Sequence, residues 1–116
     1  MNITEKSDDE VKEIALAIWE QQLKYSREGD YEGFSQNISS EVLATVNPVM
    51  AAKQFSEDKL TRSLSPDYDY LGLLRRDDQV TCLFRVRSTE KEGEWLGRMV
   101  LGYEKGEVRI FAASIF

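Results

Sequence analysis

In the stretch VTCLFRVR, residues 80–87, every second side chain is apolar, and the side chains between them are a mixture of polar, charged and apolar types. A period of two is typical of a β-strand that buries one face. The same period recurs from Ser65-Pro66 to the end of the chain. We predict four strands, at residues 68–75, 80–88, 94–103 and 107–116. The connections between them are short and rich in Asp, Glu, Lys and Gly, which favours hairpins and an antiparallel meander.

The first 60 residues have a different period. Ser7-Asp8-Asp9-Glu10 has the pattern of a capping box, and apolar residues at helical spacing follow it up to Gly29, a predicted C-cap. Short helices are then predicted to begin at Asp30, at Ser39 or Ser40, and at Asn47-Pro48. Helices followed by strands indicate an α+β fold, with the helices packed on a curved antiparallel sheet.

Composition sets bounds on domain number and chemistry. A chain of 116 residues is one domain, 1–116, by the rule of roughly 100–200 residues per domain, and we expect residues 1–8 to be flexible. The chain has no histidine and one cysteine, Cys82, which excludes histidine acid–base chemistry, an intrachain disulfide and a multi-thiolate metal site. We expect no cofactor and no bound metal.

Charge and hydropathy indicate the expected location and partners. The net charge is −6, and an acidic chain repels phosphate backbones and anionic lipid, so we expect neither nucleic acid nor a membrane as a partner. The longest apolar run, from Ile14 to Trp19, is far shorter than the roughly 20 residues of a membrane-spanning helix. The N-terminus is polar and has no secretory core, so the expected location is cytoplasmic.

Alternation divides the predicted strands into two faces. The set that begins with Val80 and Cys82, and that includes Ser114 and Phe116, is almost wholly apolar and is predicted to face the helices. The opposite set contains Ile115 and mixes apolar residues with arginines, as in a face that contacts a partner. We predict that this second set forms the dimer or partner face, through Leu83, Arg85, Arg87, Arg98, Val100, Arg109 and Phe111.

The segment Gly29-Asp30-Tyr31-Glu32-Gly33-Phe34, placed between a long helix and a terminal meander, resembles the nuclear transport factor 2-like superfamily. This superfamily includes ketosteroid isomerase-like and polyketide cyclase-like proteins, and the resemblance covers about residues 9–116. It implies a cone-shaped, cystatin-like α+β fold with a pocket inside the cone and a homodimer formed through the outer sheet face. The expected ligand is a small apolar or aromatic molecule. Candidate pocket residues are Trp19, Tyr31, Cys82, Trp95, Met99, Tyr103 and Ser114.

Catalysis of the kind that this resemblance implies needs an Asp or His base and a Tyr or Asp donor. No histidine is present, and the predicted inward strand positions carry no acid. Asp30, Asp69 and Tyr68 remain as candidate catalytic residues. Each also has a simple structural interpretation, as a helix cap for Asp30 and as an exposed strand entry for Asp69 and Tyr68.

Three functions remain open from the sequence. The first is a dimeric, non-catalytic domain that binds a small ligand. The second is a ketosteroid isomerase-like or polyketide cyclase-like enzyme that uses Asp and Tyr. The third is an interaction module whose sheet face binds another protein. The four arginines of that face could clamp a carboxylate or phosphate ligand, pair with the acidic helices of a partner, or pair with acids on neighbouring strands.

Overall fold

A long N-terminal helix packs on a four-stranded antiparallel sheet in the computed structural model, which describes residues 2–116. The helical elements are a 3-10 turn (Ile3–Glu5), α1 (Asp8–Glu28), α2 (Tyr31–Ser35), α3 (Ser40–Leu43), α4 (Pro48–Glu57) and α5 (Lys59–Arg62). The strands are β1 (Asp69–Arg76), β2 (Gln79–Val86), β3 (Trp95–Glu104) and β4 (Glu107–Ile115), in that order across the sheet. The predicted α+β class is confirmed. Within the described residues, no helix is both long and apolar enough to cross a membrane.

Local capping fixes both ends of α1. The Glu10 backbone N–H donates to Ser7 Oγ at 3.2 Å, and the Ser7 N–H donates to Glu10 Oε1 at 3.0 Å, which completes the predicted capping box. Gly29 ends the helix with a left-handed φ of 69°, a conformation that glycine adopts without steric cost. Asp30 and Asn47 cap α2 and α4 as predicted, and Ser39, one of the two predicted alternatives, caps α3.

The core lies between α1 and the inner face of the sheet. In β2 the alternate residues Val80, Cys82, Phe84 and Val86 are all fully buried. The predicted inner face of β2 is therefore confirmed. The helix contributes a stripe of buried apolar residues to the same core: Val11, Ala15, Trp19 and Leu23.

A bulge in β4 changes which side chains face the core. Val100 pairs with Ala112 and the next residue of β3, Leu101, pairs with Ile110, so Phe111 is an extra residue in the ladder. Neighbouring side chains of a regular strand alternate between its two faces. After one extra residue, each later side chain lies on the face opposite to the one that strict alternation along the sequence predicts.

The reversal corrects part of the predicted face assignment. Ser114 pairs with Arg98 on the outer face, and its hydroxyl accepts a hydrogen bond from Arg98 Nε at 3.3 Å. Ile115 pairs with Gly97 and packs against the core. The prediction that Ser114 faces inward and Ile115 outward is therefore wrong, because strict alternation does not hold across the bulge.

The N-terminal segment packs on the sheet, in contrast to the flexibility expected for residues 1–8; Met1 lies outside the described residues. Ile3 is fully buried in the core. Arg75 of β1 donates hydrogen bonds to the carbonyl oxygens of Thr4, at 3.1 Å, and Lys6, at 2.8 Å. The same guanidinium forms an ion pair with Asp8 at 2.6 Å. Burial and this clamp together hold the segment against β1.

Candidate functional site

A cavity of about 230 Å³ lies between α1, the α4–α5 region and the last two strands. Its lining is mostly apolar. Trp19 and Leu23 line it from α1, Phe34 and Phe55 from α2 and α4, and Met99 from the sheet. The helix and the sheet therefore build the cavity from opposite sides of the core.

Asp58, between α4 and α5, and Ala113, in β4, also line the cavity, and both are exposed to solvent. The cavity is therefore open to solvent along the edge where these two residues lie. Its inner end is closed by core residues such as Met99, which is 1% exposed.

Several polar groups of the lining have hydrogen-bond partners within the chain. Gln22 donates from Nε2 to the Phe34 carbonyl oxygen at 2.9 Å and accepts at Oε1 from Asn37 at 2.8 Å, so its amide joins α1 to α2. Asp58 caps α5 by accepting from the Thr61 N–H at 3.1 Å. The lining also includes the Ser26 hydroxyl.

Trp19 is the largest aromatic side chain of the cavity wall. Its ring stacks on Phe84 with a centroid separation of 4.0 Å and an interplanar angle of 9°. Its indole N–H is buried and has no hydrogen-bond partner among the described residues. An unmade hydrogen bond of this kind costs about 1–3 kcal/mol.

The seven predicted pocket residues are only partly brought together. Trp19 and Met99 line the cavity from the core. Ser114 also belongs to the lining, although its hydroxyl contacts Arg98 on the outer face. Tyr31, Cys82, Trp95 and Tyr103 do not line the cavity. Cys82 lies in the core, where burial raises the pKa of its thiol to about 11, so it is not a thiolate near neutral pH. Tyr31 packs edge-on against Phe55, 5.7 Å between ring centroids, and so supports the cavity wall from behind.

The three candidate catalytic residues lie apart from the cavity. Asp30 accepts from the Gly33 N–H at 3.0 Å as the cap of α2. Asp69 accepts from Arg87 at 2.9 Å, and this hydrogen bond is the main reason that its pKa lies below the ordinary value. A carboxylate with a lowered pKa is a poor general base at neutral pH.

Tyr68 also has a structural role. Its hydroxyl donates to Glu20 Oε1 at 3.0 Å, and burial, followed by this hydrogen bond, raises its pKa to about 12. Its ring packs edge-on against Trp19 and Phe84. Asp30, Asp69 and Tyr68 therefore do not form one constellation.

Sequence reasoning missed several residues of the cavity lining, including Gln22, Phe34, Phe55 and Asp58. A local signal existed for Asp58, since Asp is a favoured N-cap residue. An N-cap at Asp58 would have predicted the start of α5. The positions of Phe34 and Phe55 depend on how α2 and α4 meet, with ring centroids 4.7 Å apart, which no local pattern indicates.

Acidic neighbours pair with three of the four outer-face arginines. Arg85 and Arg87 both contact Asp69 and Glu94. Arg109 forms an ion pair with Glu107.

Arg98 contacts Ser114 and forms no ion pair within residues 2–116. Apolar side chains share its face of the sheet: Leu83 lies directly opposite Arg98, and Leu96 is 40% exposed. The outer face therefore combines exposed apolar surface with a guanidinium that has no acidic partner among the described residues.

Comparison with known proteins finds no matching family model, no matching curated protein and no matching solved structure. The fold and the cavity define a class, an α+β domain with an apolar cavity between its long helix and its sheet. Function must be argued from that geometry.

Proposed function

We propose that this chain is a non-catalytic domain that binds a small apolar or aromatic ligand, built on the cone-shaped fold of the nuclear transport factor 2-like superfamily. The cavity of about 230 Å³ is the observation that carries the proposal. The long helix, the short helices and the four-stranded meander support the fold part of the proposal, because they follow one another in the order that the resemblance implies.

The size and lining of the cavity suit a small molecule. An apolar cavity of roughly 150 Å³ stays dry and binds benzene. A volume of about 230 Å³ therefore has room for one aromatic ring with a short substituent. Trp19, Phe34 and Phe55 supply the aromatic surface that would contact such a ring.

The alternative function is a ketosteroid isomerase-like or polyketide cyclase-like enzyme. It has less support, because Asp30, Asp69 and Tyr68 lie outside the cavity lining and are engaged in structural contacts. Turnover of such substrates by the wild-type chain, lost in Asp30→Asn or Asp69→Asn with folding intact, would favour the enzyme.

The proposal includes a homodimer formed through the outer sheet face. The apolar side chains beside Arg98, and its lack of an ion pair within the described residues, support a face that is completed by a second copy. A stable interface buries about 800 Å² on each partner. A cytoplasmic location, and the expectation that neither nucleic acid nor membrane is bound, belong to the same proposal.

Neighbouring alanines allow the ligand proposal to be tested with a matched pair of variants. Ala113 lines the cavity, whereas Ala112 pairs with Val100 on the outer face. Calorimetric titration with 2-phenylethanol should show saturable binding to the wild type that Ala113→Phe weakens and Ala112→Phe preserves. Absence of binding to the folded wild type, or equal loss in both variants, would contradict the proposal.

A further inference from the structure

We infer that the cavity selects ligands by charge, accepting an apolar body that carries a protonated amine and rejecting one that carries a carboxylate. This inference rests on the proposed ligand-binding function. It follows from the one ionised side chain of the lining and from the aromatic surface that surrounds the space.

Among residues 2–116, Asp58 is the only charged residue that lines the cavity, and neither lysine nor arginine lines it. One of the Asp58 carboxylate oxygens, Oδ1, caps α5 by accepting from Thr61. The second oxygen is not needed for the cap, and Asp58 is solvent-exposed. An ammonium group at this edge would therefore meet a negative charge without giving up all of its water.

Aromatic rings strengthen the preference for a cation. Trp19, Phe34 and Phe55 all line the cavity, and the rings of the two phenylalanines lie 4.7 Å apart at an angle of 45°. The face of an aromatic ring carries partial negative charge and attracts an ammonium or guanidinium group that lies within about 6 Å of the ring centroid. The same faces repel a carboxylate.

Two arginines beside the lining do not offset this arrangement. Arg98 lies on the outer face of the sheet, where it donates from Nε to Ser114 Oγ at 3.3 Å. Arg62 of α5 donates from Nε to the Arg27 carbonyl oxygen at 3.2 Å and from Nη1 to the Ser56 carbonyl oxygen at 3.1 Å. Its guanidinium is thus used to tie α5 to the ends of α1 and α4. A carboxylate ligand would lose water inside an apolar cavity without gaining a cation, which is strongly unfavourable.

Three probes with similar apolar bodies test the inference: 2-phenylethylamine, 2-phenylethanol and phenylacetate, which are cationic, neutral and anionic at neutral pH. Dissociation constants are measured by calorimetry or by chemical-shift titration of the full chain. We expect the amine to bind roughly 2- to 5-fold more tightly than the alcohol, the size of effect that a partly exposed ion pair gives, and phenylacetate to bind least.

Asp58→Asn is the decisive variant, because asparagine caps helices as well as aspartate does and α5 should persist. The preference for the amine should disappear while binding of 2-phenylethanol stays unchanged. Asp30→Asn is the matched control, since Asp30 caps α2 and does not line the cavity; it should retain the wild-type order of affinities.

The outcomes separate the two proposals. If all three probes bind with equal affinity, or if Asp58→Asn leaves the order unchanged, the charge inference is wrong and the ligand-binding function stands. If none of the probes binds to the folded protein, the ligand-binding function is wrong and the charge inference is wrong with it.

Discussion

The Trp19 ring lies parallel to the Phe84 ring at 4.0 Å, which makes this pair the direct aromatic contact between α1 and β2. Gly97 of β3 makes the contact possible. An ideal Cβ at Gly97 would lie 2.7 Å from the Trp19 ring, closer than a side chain can approach. The indole therefore occupies space that the glycine leaves free, and it forms core and cavity wall at once.

Trp19→Ala should destabilise the fold strongly. Trp19 is 6% exposed, and large-to-small changes at buried aromatic positions cost about 3–5 kcal/mol. Trp19→Phe should cost less, since it keeps an aromatic ring over Phe84 and removes an indole N–H that has no partner within the described residues. Urea denaturation followed by circular dichroism measures both free energies of unfolding.

Val49→Ala serves as the control for this pair, because Val49 is 78% exposed and should change stability little. A cost for Trp19→Ala below about 0.5 kcal/mol, within the range of ordinary surface changes, would show that the packing of α1 on β2 is wrong.

The N-terminal turn should contribute measurably to stability. Ile3 is fully buried, so Ile3→Ala should cost about 2–5 kcal/mol in free energy of unfolding. Arg75→Lys keeps the positive charge but removes the planar guanidinium, whose Nε and Nη2 donate to the carbonyl oxygens of Thr4 and Lys6. It should therefore speed amide hydrogen exchange at Glu5 and Lys6, whose N–H groups close the turn.

Arg76→Lys is the matched control for that exchange experiment, since Arg76 lies next to Arg75 and is exposed. Exchange at Glu5 that is already fast in the wild type would contradict the clamp.

Alkaline pH should destabilise the fold through Tyr68. The pKa of Tyr68 in the folded protein is raised to about 12, whereas the pKa of a tyrosine in the unfolded chain is about 10. Below that unfolded value both states are protonated and stability does not depend on this group. As the pH rises from about 10 toward 12, the unfolded state ionises first, so stability falls. Denaturant midpoints across this range should fall less steeply in Tyr68→Phe than in the wild type.

Phenolate absorbance provides the second readout for Tyr68. Glu20→Gln removes the carboxylate that helps to raise the Tyr68 pKa, so one tyrosine should ionise at lower pH than it does in the wild type. An alkaline absorbance curve that neither Glu20→Gln nor Tyr68→Phe changes would contradict this assignment.

A charge on the outer sheet face should dissociate the proposed homodimer. Leu96 is 40% exposed on that face, so Leu96→Glu would place a carboxylate in the interface without disturbing the core. Light scattering should give a dimer mass for the wild type and a monomer mass for the variant at micromolar concentration. Val49→Glu, at an exposed apolar position on α4, should remain dimeric. A monomeric wild type would rule out the interface.

Local patterns in the sequence predicted the parts of the fold that local interactions determine. Ser7 and Gly29 mark the two ends of α1, because a hydroxyl cap and a left-handed glycine act within one turn of the helix. Alternation placed Cys82 and Phe84 on the buried face of β2 because period two holds along an uninterrupted strand.

Features that depend on distant residues were not predictable in this way. The bulge at Phe111 reflects the fit of β4 to β3, and Gly102 is part of that fit: an ideal Cβ there would lie 3.1 Å from the Phe111 ring. The cavity depends on how Phe34 and Phe55 meet across two helices. The N-terminal turn that contains the buried Ile3 is held by residues far along the chain, such as Arg75, which donates to the Thr4 carbonyl oxygen across 71 positions.

The extra residue in β4 gives that strand a tolerance for a genetic change that a regular strand does not have. Loss of the single codon for Phe111 would leave Ile110 opposite Leu101 and Ala112 opposite Val100, so the side chains that follow would keep their present sides. β2 pairs with β3 without such a spare residue, and loss of the codon for Leu83 would reverse the faces on one side of the gap. One in-frame deletion would thus spare both surfaces of the domain in β4, whereas the same change in β2 would expose part of the core.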